Sequence, residues 1–264
     1  MTGTFRRSVL GVPAAATAAL AAIGAQAWYA GHRPLPRFGD LDPSGTFGPD
    51  GVPEVRIALI GDSTITGPGL DDADDLWMRQ VVRRLSGRYR VSVQSHAVGG
   101  ARARDVLMYQ VRAAVRDLPD VAVVSVGVND ALRRIRIQLF EAELTAIVTA
   151  LRATDAVVVL AGVGDVGTAP RLPFPLKVVV SERSRAADRV HTRVAARHDG
   201  VVKIPVGELS NDLFRRRPEL FCADLFHPSQ AGHRVWADAA YPVLEGVLAQ
   251  VSSAATTASA NVAT

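Results

Sequence analysis

A serine, an asparagine, a glycine pair and an aspartate three residues before a histidine are the residues of this chain whose types could do chemistry together. They stand in four short stretches: Gly61-Asp62-Ser63, Gly99-Gly100, Gly127-Val128-Asn129-Asp130 and Asp224-Leu225-Phe226-His227. Acyl transfer by serine needs a nucleophile, a base to take its proton, a group to orient the base, and donors for the oxyanion. Ser63 can be the nucleophile. Asp224 can reach Nδ1 of His227 if the loop between them curls, which leaves Nε2 to face a serine. The Asn129 amide and a glycine N–H can serve an oxyanion. Each stretch alone is also an ordinary turn: a strand-to-helix turn at Ser63, a strand-closing turn at Asn129-Asp130, a β-to-α turn at Gly99-Gly100, and an exposed loop histidine at His227. Asp224, His227 and His233 could be drawn as metal ligands, but no second acid or histidine cluster completes a closed shell, so no metal is expected.

Positioning such groups is the task of the elements between them. Val55 to Ile60 is an apolar, partly β-branched run bounded by Pro53 and Gly61 and reads as a buried strand ending at Ser63. Further strands are expected over Arg90 to His96, Asp120 to Val126, Ala156 to Ala161 and Val201 to Ile204. Helices are expected over Leu76 to Leu85, Ala103 to Val115, Leu132 to Arg152, Glu182 to Arg197 and Gln230 to Gln250. The acids Asp71, Asp72, Asp74 and Asp75 suit a helix start better than a metal site. Strands alternating with helices give an α/β fold with a mostly parallel, five-stranded sheet covered on both faces. In such sheets ligands sit outside the carboxyl ends of the strands, where all four stretches fall. Gly162-Val-Gly164-Asp-Val-Gly167 also follows a strand and satisfies G-x-G-x-x-G. The dinucleotide fingerprint needs a helix to open there, and Pro170, Pro173 and Pro175 forbid one. The stretch is read as a loop at the ligand end, with Phe174 and Leu176 as candidate lining of a substrate pocket.

With 264 residues, 48% of them hydrophobic and 21% charged, the chain can bury one large α/β core and cannot be globally disordered. The formal charge of +4 comes almost wholly from arginines interspersed with acids. The runs Arg133-Arg134-Ile-Arg136 and Arg215-Arg216-Arg217 have no aromatic platform beside them, so no nucleic-acid partner is expected. Cys222 is alone, which rules out an intrachain disulfide. Arg6-Arg7 precede an uncharged, Ala-rich run from Ser8 to Gly31, read as a membrane anchor or, with Ala25-Gln26-Ala27 as the cleavage site, a secretory signal peptide. Either places the domain outside the cytoplasm. The expected organisation is therefore 1–32 as signal or anchor, 33–54 as a Pro/Gly-rich linker, 55–250 as the folded domain and 251–264 as a disordered tail.

From about Val55 to Leu248 the chain resembles the SGNH hydrolases, also called GDSL-type esterases and lipases. Gly61-Asp62-Ser63, Ala97-Val98-Gly99-Gly100-Ala101, Gly127-Val128-Asn129-Asp130 and Asp224-Leu225-Phe226-His227-Pro228-Ser229 match the family's blocks in the family's order. The resemblance implies a flavodoxin-like three-layer α/β/α domain that cleaves carboxylic esters without a cofactor. It implies a triad of Ser63, Asp224 and His227, and an oxyanion hole from the Ser63 and Gly100 N–H groups with the Asn129 amide. Thr64 stands where many members carry Leu, and Ser95 where an Asn is common. Two rival readings share these residues: an acyltransferase to a sugar or lipid hydroxyl, and a membrane-tethered binding module.

Overall fold

The computed structural model describes residues 6–262. Its strands are β1 (Gly45–Phe47), β2 (Glu54–Gly61), β3 (Arg90–Ser95), β4 (Val121–Ser125), β5 (Val157–Ala161) and β6 (Val201–Ile204). They form one six-stranded sheet in the order β1-β3-β2-β4-β5-β6. Pairing is parallel throughout except at the edge, where β1 runs antiparallel to β3. Five of the six strands lie where the sequence places them; β1 is the addition to the expected five-stranded sheet. It was hidden because a strand of three residues carries no readable alternation.

Side chains alternate across the sheet as the pleat requires. Val55, Ile57 and Leu59 of β2 face one core with Val121, Val123 and Val159, while Ala58 and Ile60 face the other with Val124, Val158 and Leu160. Helices α3 (Trp77–Leu85) and α10 (Gln230–Val262) close the first core. The second is closed by α5 (Val111–Arg116), α7 (Ile137–Arg152) and α8 (Leu176–Arg197). The result is a three-layer α/β/α sandwich with both faces apolar, as a parallel sheet demands.

Three helical boundaries differ from the sequence reading, and one helix is added to it. The helix expected from Leu132 is split into α6 (Val128–Leu132) and α7, because Arg134 adopts a left-handed φ of 58° between them. The helix expected from Glu182 begins at Leu176, directly after the last of the loop prolines. The added helix, α9 (Val206–Arg216), follows Pro205 directly and carries Arg215 and Arg216 in its last turn. The final helix continues to Val262, where a disordered tail was expected; alanine propagates helix well without packing.

The N-terminal region is helical and packs in part on the domain. Residues Arg6–His32 form a helix, α1, and among the described residues no helix is long and apolar enough to cross a membrane. The carboxyl-terminal part of α1 packs on the domain: Ala30 is buried against Ala169, Leu172, Leu176 and Val180. Gln26 donates to Phe174 O at 2.8 Å and accepts from Leu176 N at 3.2 Å, and Arg171 Nε donates to Ala30 O at 2.7 Å. The segment expected to be a linker is a strap that runs from α1 past the carboxyl end of the sheet into β1. It is pinned by Leu41 N to Thr66 O at 2.8 Å and by Ser95 N to Ser44 Oγ at 3.0 Å.

Candidate active site

The central strand β2 lies between β3 and β4, so the chain leaves it toward one side of the sheet and later returns on the other. That reversal opens a crevice at the carboxyl end of β2. Ser63 sits there, as the first residue of the short helix α2 (Ser63–Thr66). Asp62 caps this helix: its Oδ1 accepts from Thr64 N at 2.9 Å and from Thr64 Oγ1 at 2.8 Å. The Thr64 hydroxyl also meets Ser125 Oγ at the end of β4, which gives a physical role to the residue that departs from the family pattern.

The turn after β3 carries Gly99 and Gly100. Gly100 has φ 79°, a conformation that favours glycine, and a β-carbon there would meet nothing within 4 Å, so its face is open to the crevice. Neither the Ser63 nor the Gly100 N–H has a protein acceptor among the described residues. Asn129, on α6 after β4, donates from Nδ2 to Asp62 Oδ2 at 3.2 Å and to Ala101 O at 3.1 Å. The amide is thereby held between the serine turn and the glycine turn.

Asp224 and His227 share the loop before α10. Leu225 takes a left-handed φ of 61°, and Cys222 N donates to His227 O at 2.8 Å, so the loop curls back on itself. That curl brings Asp224 Oδ2 to 2.6 Å from His227 Nδ1. Asp224 Oδ1 accepts from the N–H groups of Phe226 and His227 and from the Cys222 thiol, each at 2.9 Å. Burial alone would raise this carboxyl. Hydrogen bonds from the His227 ring, the Cys222 thiol and the His227 N–H outweigh it and hold Asp224 well below the usual carboxylate range. Burial, with help from Asp224, pushes the Cys222 thiol up to about 12. Burial also pushes Asp62 up to about 6, against the hydrogen bonds it receives from Thr64 and Asn129.

Ser63, Gly100, Asn129, Asp224 and His227 all line one open cleft of about 730 Å³. No hydrogen bond joins Ser63 Oγ to His227 in this geometry, which is common before substrate tightens a site. A second, smaller cavity of about 90 Å³ opens from Ser63 and His227 toward the sheet, walled by Val126, Val128, Val163, Val206, Phe214 and Trp236. Of the two loop residues singled out as pocket lining, Leu176 borders the cleft, whereas Phe174 is 70% exposed and borders neither space. The Phe174 contact with α1 is made by its backbone carbonyl, which accepts from Gln26 Nε2, and not by its ring. His233 is fully buried and accepts from Trp77 N at 3.2 Å, remote in role from the cleft. Among the described residues no group of three His, Cys, Asp or Glu side chains could hold a metal ion. Sequence reasoning missed Asp40 and the rest of the strap, since nothing in a Pro/Gly-rich stretch marks one carboxylate as reaching a turn 59 residues away.

A carboxylate–imidazole pair and a strand-end serine, sharing a cleft with two unbonded N–H groups on a three-layer α/β/α sandwich, define the architecture of a serine hydrolase. The chain belongs to the GDSL-like lipase/acylhydrolase family, whose profile matches residues 59–235. It is 31% identical over 201 residues to a GDSL-like esterase of Mycobacterium tuberculosis, covering 75% of this chain and 64% of that protein. The chain thus spans a little under two thirds of the length of that relative. Among solved structures it resembles a lipase/acylhydrolase from Enterococcus faecalis, with a TM-score of 0.58, 25% identity, and coverage of 73% of this chain and 96% of the other. An acetylxylan esterase from Geobacillus stearothermophilus shares the fold, with a TM-score of 0.55, 17% identity, and coverage of 71% and 93%.

Proposed function

We propose that this chain hydrolyses carboxylic esters through an acyl-enzyme on Ser63. The observation that carries the reading is the Asp224–His227 pair at 2.6 Å in the same cleft as Ser63 and the unbonded N–H groups. Asp224, held ionised, fixes the His227 tautomer with the proton on Nδ1, so Nε2 is the basic nitrogen. His227 takes the Ser63 proton as the oxygen attacks the ester carbonyl. The oxyanion is received by the Ser63 and Gly100 N–H groups and by the Asn129 amide, which releases one of its two present acceptors to do so. His227 then protonates the leaving alcohol, and water repeats the sequence on the acyl-enzyme.

The two spaces divide the substrate. The apolar cavity of about 90 Å³ receives the acyl group, and the wider cleft receives the alcohol. A dry apolar cavity of about 150 Å³ holds a benzene ring, so the smaller one here suits acyl chains of about two to four carbons. The test is hydrolysis of p-nitrophenyl esters from acetate to palmitate by the full chain and by Ser63→Ala. Activity greatest on the short esters and absent in the variant is the expected result. Equal activity in both proteins would sink the reading, and a rate that peaks at palmitate would overturn the assignment of the cavity. The sequence from Arg6 to Gly31 supports a place outside the cytoplasm, which fractionation of the source cells would check.

A further inference from the structure

We infer that Asp40, in the strap between α1 and β1, is a positioning residue for the oxyanion hole. The inference rests on the esterase reading above but concerns a residue outside the region shared with the family, 59–235. Asp40 Oδ2 accepts from Gly99 N at 2.9 Å, and Oδ1 accepts from Thr66 Oγ1 at 2.6 Å. The next residue, Leu41, donates its N–H to Thr66 O at 2.8 Å. Thr66 ends the helix that Ser63 begins, and Gly99 precedes Gly100. One carboxylate therefore ties together the two backbone segments whose free N–H groups must converge on the same oxygen.

The glycine turn needs such a tie. Its ends are fixed, by Val98 N to Gly61 O at 3.1 Å and by Asn129 Nδ2 to Ala101 O at 3.1 Å, but a β-carbon on Gly100 would find no neighbour within 4 Å. The turn closes on itself through Ala101 N to Val98 O at 3.2 Å, and Asp40 is the side chain that anchors its tip to the rest of the domain. Gly99 is shaped for this contact, since a β-carbon there would lie 2.4 Å from Asp40 Oδ1. Gly99 thus has a reason to be glycine distinct from that of Gly100: it admits the carboxylate. Donor placement matters because an oxyanion donor displaced by about 1 Å loses much of its effect, on the order of a hundred-fold in rate.

The test compares Asp40→Ala, Asp40→Asn and Gly99→Ala in the full chain. Asparagine can keep both contacts, its oxygen accepting from Gly99 N and its amide donating to the Thr66 hydroxyl. Asp40→Ala should lower kcat about ten- to a hundred-fold with KM little changed, and Asp40→Asn should restore most of it. Gly99→Ala should cost a similar factor, and adding it to Asp40→Ala should cost little more, because both break one contact. A second readout does not need turnover: the Gly99 amide should exchange with solvent faster in Asp40→Ala than in the parent, at unchanged circular dichroism. Unaltered exchange overturns the inference even if the enzyme reading stands. Wild-type kcat in Asp40→Ala, or an Asp40→Asn loss as deep as that of alanine, overturns it as well. Full activity in Ser63→Ala would instead fail the esterase reading and leave the exchange result to decide on Asp40.

Discussion

Asn129 and Cys222 show how individual side chains here are spent before any substrate arrives. Both N–H bonds of the Asn129 amide are engaged, by Asp62 and by the Ala101 carbonyl. On the proposed mechanism, in which the amide releases one of these acceptors, Asn129→Ala should lower kcat about a hundred- to a thousand-fold, with the larger share in kcat rather than KM; steady-state kinetics on p-nitrophenyl acetate would show it. Cys222 donates a hydrogen bond from its thiol to Asp224 and is pushed up to about 12 by burial and that carboxylate. A thiol held in that state is a poor nucleophile. Iodoacetamide at pH 8 should leave native Cys222 unmodified while labelling it readily in urea, as mass spectrometry would report; rapid labelling of the folded protein would contradict the geometry. Cys222→Ser keeps a donor to Asp224 and should retain more activity than Cys222→Ala.

At the scale of elements, the sheet and the Asp224–His227 contact are legible in the sequence because they rest on short-range signals. Buried parallel strands write themselves as apolar runs, and Asp224, Leu225, Phe226 and His227 form a local unit whose spacing already suggests the contact. What the sequence did not show is long-range. Asp40 meets Gly99, and Gln26 meets Leu176, across stretches with no periodicity to announce a partner. The break between α6 and α7 depends on one left-handed arginine, which no pattern of apolar residues encodes. The placement of α1 has a direct consequence for the enzyme. Its Ala27, Ala30 and Gly31 line the cleft that holds Ser63 and His227, yet among the described side chains its apolar packing is with the small cluster around Leu172 and Leu176 and not with the two cores of the sheet. Removing residues 1–32 should leave a folded protein with kcat within about twofold of the full chain and a raised KM, the signature of lost uniform binding. An unchanged KM would mean that α1 does not shape the substrate's seat.

Over the whole molecule, Asp62, Asp130, His191 and His233 set how stability answers to pH between about 4.5 and 6, a window in which Asp224, held well below the usual carboxylate range, stays ionised. His191 donates to Val126 O at 3.0 Å and stacks on Phe140, and His233 accepts from Trp77 N. Burial depresses them to about 4 and about 3. Their folded values lie below the unfolded one, so the stability they contribute is present above pH 6.5 and is lost as pH falls through those values. Asp62 and Asp130 act in the opposite sense: burial raises both to about 6, so their contribution is present at low pH and is lost as pH rises through about 6. Between about pH 4.5 and 6 the pairs offset each other, and unfolding free energy should vary little. His191→Gln, which keeps a donor for Val126 O, removes one side of that balance. Its slope of unfolding free energy against pH in this window should fall by about 1.4 kcal/mol per pH unit relative to the parent, measured by urea titration.

The short antiparallel strand β1 has a role that chemistry at the cleft does not require. It covers β3, which would otherwise present a row of unpaired N–H and C=O groups along the rim of the sheet. A bare rim of that kind recruits a strand from the next molecule. The strap that reaches the Gly99 turn therefore also acts as a hem on the sheet, and a protease cut that frees β1 should leave a sticky, self-associating particle.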